Sequence, residues 1–361
     1  MKKINLQIEI DLKEIMDRVQ SSWRFNGSKI LVTGAGGFLG YYLSRFFIQY
    51  FDDLGIKHLA LIDLIDLSTK RGFREYPGRI SLLKHNMSSL KDLPIDLKEF
   101  DVIINLASFA SPVAYRANPL GTLSGSVLSV WKLLESYSEY ADATGSFQIF
   151  SSSEIYGDPP ASQIPTSEEY WGNVSCLGPR ACYDESKRFI ETLGYAFSKE
   201  KKINVSIIRP FNNYGPGLSL TDGRLVADTM HSMLKQEGIS VYSDGRPTRS
   251  FCYITDAIVG YILALNRQEF NVYNIGNDQQ EISVSDFLGV ASRVLKQKTG
   301  NKLTINFKKS SDPEFLTNNP NRRFPDLTKA RTELGYEPIV DIEEGMARWF
   351  DYEKQKETSL S

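Results

Sequence analysis

Histidine and cysteine are scarce in this chain, with three of each in 361 residues. Cys176, Cys182 and Cys252 form no CxxC pair, which argues against a disulfide framework and against a Cys/His metal site. No metal is expected, and such free thiols fit a reducing compartment. Long apolar runs are also missing, so no segment reads as a membrane span. The polar start "MKKINLQIEIDLKEIMDRVQ" lacks the apolar core of a signal peptide, and the expected location is cytoplasmic. Charge of one sign is not in excess. A net charge of -2 gives no general electrostatic reason to expect nucleic acid or an anionic membrane as partner.

What the chain does have is 41% hydrophobic and 12% aromatic residues, enough to bury one large core and a smaller lobe. Residues 30–47 read "ILVTGAGGFLGYYLSRFF". A strand from Ile30 to Thr33 enters a loop with Gly34, Gly37 and Gly40 three apart. Leu39, Leu43 and Phe46 then mark one face of a helix. Such a loop lets a ligand approach bare backbone at a helix N-terminus, and a diphosphate fits there. The alternative is an ordinary strand-to-helix corner. Asp63 closes the next strand-like run, "HLALID", where a carboxylate can take an adenosine ribose hydroxyl. NAD is thereby favoured over NADP, although Lys70 and Arg71 nearby leave NADP open; for Asp63 alone the alternative is a solvated strand end.

Further apolar runs at 79–85, 101–107, 146–152 and 204–210 alternate with helical patterns, as in a parallel sheet buried on both faces. Beyond Pro210 the pattern turns irregular, with "NNYGPG", "SDGRPTRS" and "SSDPEFLTNNPNRRFPD". The expected fold is α/β, a Rossmann doubly wound parallel sheet with a smaller C-terminal α/β substrate lobe. The expected divisions are an N-terminal helical extension at 1–27, a dinucleotide-binding domain at 28–210 and a mainly substrate-binding lobe at 211–361, with crossing of the chain between lobes allowed. Residues 5–20 have the period of an amphipathic helix with mixed charges, which points to packing against the protein itself or a second subunit.

Chemistry enters at "PRACYDESK", where Tyr183 and Lys187 stand four apart and share a helix face. A phenol beside an ammonium is drawn toward phenolate and becomes a proton acceptor for an alcohol. With 18 tyrosines in the chain, about one Tyr-x-x-x-Lys arises by chance, so the pair gains weight only from its context. That context is "FSSSEIYG" at 150–157, which ends a strand with hydroxyls that can reach the same substrate oxygen.

At these residues the chain resembles the extended short-chain dehydrogenase/reductases that modify nucleotide sugars, and within them the UDP-glucuronate decarboxylases. The stretches "SSSEIYGDP", "YWGNVSCLGPRACYDESKRFIET", "RPFNNYGPG", "DGRLV" and "TRSFCYITD" carry the likeness. The resemblance implies a homodimer built through a four-helix bundle, NAD as cofactor, and a nucleotide-diphosphate sugar, UDP-glucuronate favoured, as substrate. It assigns catalysis to Ser152, Glu154, Tyr183, Lys187 and Arg249. NAD would be held by Gly34, Gly37, Phe38, Leu39, Gly40, Asp63, Asn86, Met87, Leu106 and Ala107, together with Tyr183 and Lys187. The sugar nucleotide would be held by Ser108, Ser153, Arg180, Asn212, Arg224, Val226, Tyr242, Arg249, Tyr253 and Arg323. Plainer roles are open for some of these: Asn212 as a turn cap, Arg323 as a solvated charge, Tyr242 as core.

Ser153 and Glu154 separate neighbouring activities. Related 4,6-dehydratases carry Asp at the first position to protonate a departing hydroxyl, which serine does poorly. Simple 4-epimerases generally lack the glutamate. The pair therefore implies decarboxylation; the alternatives are a 4-epimerase, a 4,6-dehydratase and a non-catalytic NAD-binding sensor, the last set back by the intact Tyr/Lys pair. Departures from the family pattern are His85-Asn86-Met87 for the usual Gly-Asp-Ile/Val, Asn105 for His, Ser126 for Asn, and an insertion, "EFLTNNPN".

Overall fold

The computed structural model describes residues 6–89, 93, 95–142, 144–311, 317 and 319–360. The first five residues of the extension, and residues 314–316 and 318 of the insertion, lie outside them. Seven strands form one sheet: β1 (Lys29–Thr33), β2 (His58–Asp63), β3 (Ile80–Lys84), β4 (Val102–Asn105), β5 (Ser146–Phe150), β6 (Val205–Pro210) and β7 (Asn271–Ile275). Their order is β7-β6-β5-β4-β1-β2-β3 and every pairing is parallel.

Side-chain alternation assigns the two faces. Ile30, Val32, Leu59, Leu61, Val102 and Ile104 join one buried cluster, while Leu31, Ala60, Ile62 and Ile103 join the other. Period-2 geometry sends neighbouring residues to opposite sides, so uninterrupted apolar runs are what a sheet covered on both faces requires. The second face is covered by helix Ser129–Ser138 and α3 (Ala181–Lys201), the first by α2 (Phe38–Gln49) and α4 (Ile254–Leu265).

The seventh strand falls in the half expected to be the substrate lobe. "NVYNI" alternates weakly and sits between irregular segments, which hid it from a reading by pattern. Through α4 and β7 the chain crosses back to the large sheet after residue 210.

The N-terminal extension forms α1 (Leu6–Val19) and packs on its own chain, chiefly against α4. Ile8, Leu12, Ile15 and Val19 are its buried stripe. Asp11 is buried among them, where its carboxylate accepts from the hydroxyls of Tyr42 on α2 (2.9 Å) and Tyr253 (3.0 Å). Burial pushes this carboxyl up to about 6 against the pull of those bonds.

At the β1–α2 turn, Gly34 has φ +69, and a Cβ there would lie 2.7 Å from the backbone nitrogen of Ala107 at the end of β4. A Cβ at Gly40 would run into the Gly34 carbonyl oxygen. The turn is therefore closed to any side chain at these two positions. Gly40→Ala is expected to lower stability by about 1–3 kcal/mol, the range for overpacking. Gly289→Ala, in helix Val284–Thr299 where a Cβ meets nothing within 4 Å, is expected to raise it by about 0.4–1 kcal/mol. Urea unfolding of the two variants checks both signs.

Candidate active site

In a parallel sheet all strands end on one side, and the loops after β1, β4, β5 and β6 meet there. The order reverses between β1 and β4, which opens a crevice at their carboxyl ends. A cavity of about 600 Å³ occupies it. Of the expected residues, Gly34, Gly37, Phe38, Leu39, Gly40 and Leu106 line the cofactor end. Ser108, Ser152, Ser153, Glu154, Arg180, Tyr183, Lys187, Asn212, Arg224, Val226, Tyr242, Arg249 and Arg323 line the rest.

Five expected residues do not line the cavity. Asp63 ends β2 as read, and its carboxylate accepts from the backbone N–H groups of Gly36 (2.8 Å) and Ile65 (3.2 Å), pinning the glycine loop. Asn86 is exposed and its amide oxygen is taken by Ser88 N–H in a local turn. Met87 and Ala107 pack with the second core cluster. Tyr253 was expected to grip the sugar nucleotide; instead it is fully buried and donates to Asp11, because the strand pair Asn213–Tyr214 and Cys252–Tyr253 turns its ring into the core.

The plainer roles resolve individually. Asn212 has φ 36 and ties itself to the Ser250 carbonyl (2.9 Å) while still lining the cavity. Arg323 is buried rather than solvated, and Tyr242 is 40% exposed rather than core. Ser126 is buried against the Ser108 hydroxyl, 3.0 Å away.

Ser152 caps a short 3₁₀ turn, Ser153–Tyr156, by accepting from the Glu154 N–H (3.2 Å), and its hydroxyl also hydrogen-bonds Tyr183. The Tyr183 phenol is pushed up by burial, and Ser152 works against that rise. Lys187 points its ammonium at the Phe150 carbonyl (2.7 Å) and lies 5.6 Å from the Tyr183 ring centre. Burial lowers that ammonium to about 8. The expected lowering of the phenol by Lys187 is thus outweighed by desolvation of both groups. Tyr115, which sequence reasoning missed, stacks on Tyr183 with ring centres 5.1 Å apart. Nothing in "SPVAYR" signals that role.

Glu154 accepts from Arg180 and, through both oxygens, from Arg323, with the Arg323 Nη2–Oε2 bond at 2.6 Å. Burial alone would raise its carboxyl, but Arg323 and then Arg180 outweigh burial and hold it well below the ordinary carboxylate range. It stays ionised and has no proton of its own to give. Arg249, partly buried beside this group, donates only to neutral oxygens among the described residues, including the carbonyls of Thr248 (2.7 Å) and Pro320 (2.9 Å). Burial, then repulsion from Arg323, lowers its guanidinium to about 9, still protonated at neutral pH.

A dinucleotide fits these residues. The turn that a Cβ would fill, the N–H groups opening α2 and the fixed Asp63 carboxylate offer diphosphate and ribose contacts. The chain belongs to the NAD dependent epimerase/dehydratase family, whose model matches residues 30–276. It is an enzyme family, and its cofactor is NAD. Among curated proteins the chain is 35% identical to UDP-glucuronic acid decarboxylase 1 of Xenopus tropicalis over 327 residues, covering 90% of this chain and 72% of the relative. It is 32% identical to UDP-glucuronic acid decarboxylase 6 of Arabidopsis thaliana, covering 88% of this chain and 86% of the relative. Among solved structures, the UDP-glucuronic acid 4-epimerase of Bacillus cereus, in complex with UDP-glucuronic acid and NAD, is 26% identical with a TM-score of 0.72 over 91% of this chain and 99% of that one.

Tyr183→Phe removes only the phenol oxygen bonded to Ser152. It is expected to bind NAD and substrate as wild type does while turnover falls at least about 10²-fold, the scale of a positioned acid/base group. Calorimetry paired with single-turnover rates checks this.

Proposed function

We propose that this chain decarboxylates UDP-glucuronate to a UDP-pentose through a 4-keto sugar. The carrying observation is the charge of the cavity: the buried guanidiniums of Arg180 and Arg323 and the partly buried one of Arg249 face the ionised Glu154, leaving positive charge for a sugar acid to balance. A neutral hexose would leave it unbalanced. The similarity to UDP-glucuronic acid decarboxylases supports the same substrate.

NAD, when bound, supplies the hydride acceptor that makes the C4 alcohol a ketone and returns the hydride at the end. Tyr183 takes the C4 hydroxyl proton, with Ser152 holding the oxygen, and gives the proton back as the alcohol re-forms. The C5–C6 bond breaks with its electron pair flowing into the ketone, and carbon dioxide leaves. C5 then takes one proton from a solvent water that the ionised Glu154 serves to orient, and the hydroxide left behind is taken up with the released carbon dioxide as bicarbonate. Ser153, lacking an acid group, suits loss of carbon dioxide better than loss of a C6 hydroxyl.

We further infer a homodimer in the cytoplasm. Leu120, Leu123, Leu128, Trp131 and Phe189 expose an apolar shelf across residues 119–138 and α3, of a kind that marks a subunit contact. Cys176, Cys182 and Cys252 are free thiols, and among the described residues no helix is long and apolar enough to cross a membrane. Replacing Leu128 and Phe189 together by Glu is expected to give a monomer in sedimentation at micromolar concentration, with an unchanged dimer overturning the assignment of that shelf.

With UDP-glucuronate and NAD the protein is expected to release carbon dioxide and form a product about 44 Da lighter with little net NADH, because the hydride is returned in the same site. An unchanged product mass would make it a 4-epimerase of the same sugar acid, the reading that the likeness to the Bacillus cereus enzyme favours. Intact UDP-glucuronate would overturn both.

A further inference from the structure

Asp184 follows Tyr183 on α3, and no step above uses it. It is 5% exposed and does not line the cavity. Its Oδ2 lies 3.6 Å from Nε of Arg180, one helical turn earlier. Its Oδ1 is buried without a donor among the described residues, and Nε of the same arginine lacks an acceptor. The other end of Arg180 is bonded to Glu154, so one guanidinium stands between two carboxylates. Arg323, whose charge also reaches Asp184, is already committed to Glu154, and the Lys187 ammonium is turned to the Phe150 carbonyl.

Other groups facing Asp184 are the phenols of Tyr183 on the same helix and Tyr115 from helix Pro112–Ala117, with the thiol of Cys182. Neither phenol brings a positive charge, and Arg188, one turn onward, donates to the carbonyls of Ile155 and Trp171. An ionised carboxylate with one oxygen unsatisfied in a dry site costs much more than the neutral acid does.

We propose that Asp184 is a positioning residue for the sugar-acid subsite, acting through Arg180: by holding or releasing one proton it sets the net positive charge that Arg180, Arg249 and Arg323 present to the substrate carboxylate. The proposal rests on the acidic-sugar reading above. With the proton held, three guanidiniums face Glu154 alone and two positive charges are in excess; with it released, one is. Burial first and the charge of Glu154 second push the Asp184 carboxyl up to about 7, so the exchange falls in the neutral range. By linkage, a sugar carboxylate entering the cavity raises proton affinity at Asp184, and the proton tightens binding of the sugar acid. A neutral sugar on the same diphosphate does neither.

The test measures binding of UDP-glucuronate and UDP-glucose by calorimetry at pH 6 and pH 8 to protein loaded with NADH, which cannot accept hydride and so stops turnover. Wild type is expected to lose about tenfold in affinity for UDP-glucuronate across that range, and to change by less than about twofold for UDP-glucose. Asp184→Asn, permanently neutral, is expected to keep the tighter affinity at both pH values; a purely structural role would leave the two sugars with the same pH slope. Should the variant fail to fold, wild type still decides at pH 7: heats in buffers of different ionisation enthalpy are expected to show proton uptake with UDP-glucuronate and none with UDP-glucose. A preference for UDP-glucuronate that is independent of pH, or binding without proton uptake, overturns the role of Asp184 and leaves the acidic-sugar reading standing. A preference for UDP-glucose at both pH values overturns that reading and the role together.

Discussion

The ion cluster on Glu154 is the constraint on which the site depends. Glu154 belongs to the turn after β5, Arg180 to the start of α3, and Arg323 to the short strand Arg322–Arg323 of the C-terminal lobe. One carboxylate therefore joins the end of β5, the helix carrying Tyr183 and the short strand Arg322–Arg323. A buried pair of this kind adds little net stability over an apolar substitute, but losing one partner leaves a buried charge uncompensated and costs about 3–5 kcal/mol. Its value here is geometric, since the three segments keep their charges satisfied only when they meet in this arrangement.

The same burial that fixes the cluster sets the acid/base chemistry. Desolvation raises Tyr183 and lowers Lys187, so each is held toward its neutral form. A phenol in that condition becomes an effective base only where donors are aimed at its oxygen. Ser152 is one such donor, held in place by its cap to the Glu154 N–H.

Much of this was legible in the residues because it is local. The six strands from β1 to β6, the glycine loop, and the common face of Tyr183 and Lys187 all follow from periodicity and spacing within a short window. The residues joined only by tertiary contact were not legible. Nothing near Asp11 says that it will bind Tyr253, and "RRFPD" does not say whether Arg323 faces water or Glu154. Asn86 lies off the cavity for a related reason: its own turn with Ser88 is a local competitor that a match of position to a family pattern does not weigh.

Arg249 shows how distant packing reaches the site. Its guanidinium is held by carbonyl oxygens and the Asn319 amide oxygen, which fix its direction without cancelling its charge. Such a cage keeps a full positive charge aimed into the cavity, unlike Arg180 and Arg323, which share the one charge of Glu154. The cage must then be braced, because neutral acceptors hold a guanidinium less firmly than a carboxylate does. Four residues on, α1 provides the brace: Asp11 takes the Tyr253 hydroxyl, Glu14 takes Thr255 (3.2 Å), and Arg18 donates to Asp256 (2.7 Å). The N-terminal helix, far in sequence from Arg249, thus anchors the segment that presents the least compensated of the site's cations.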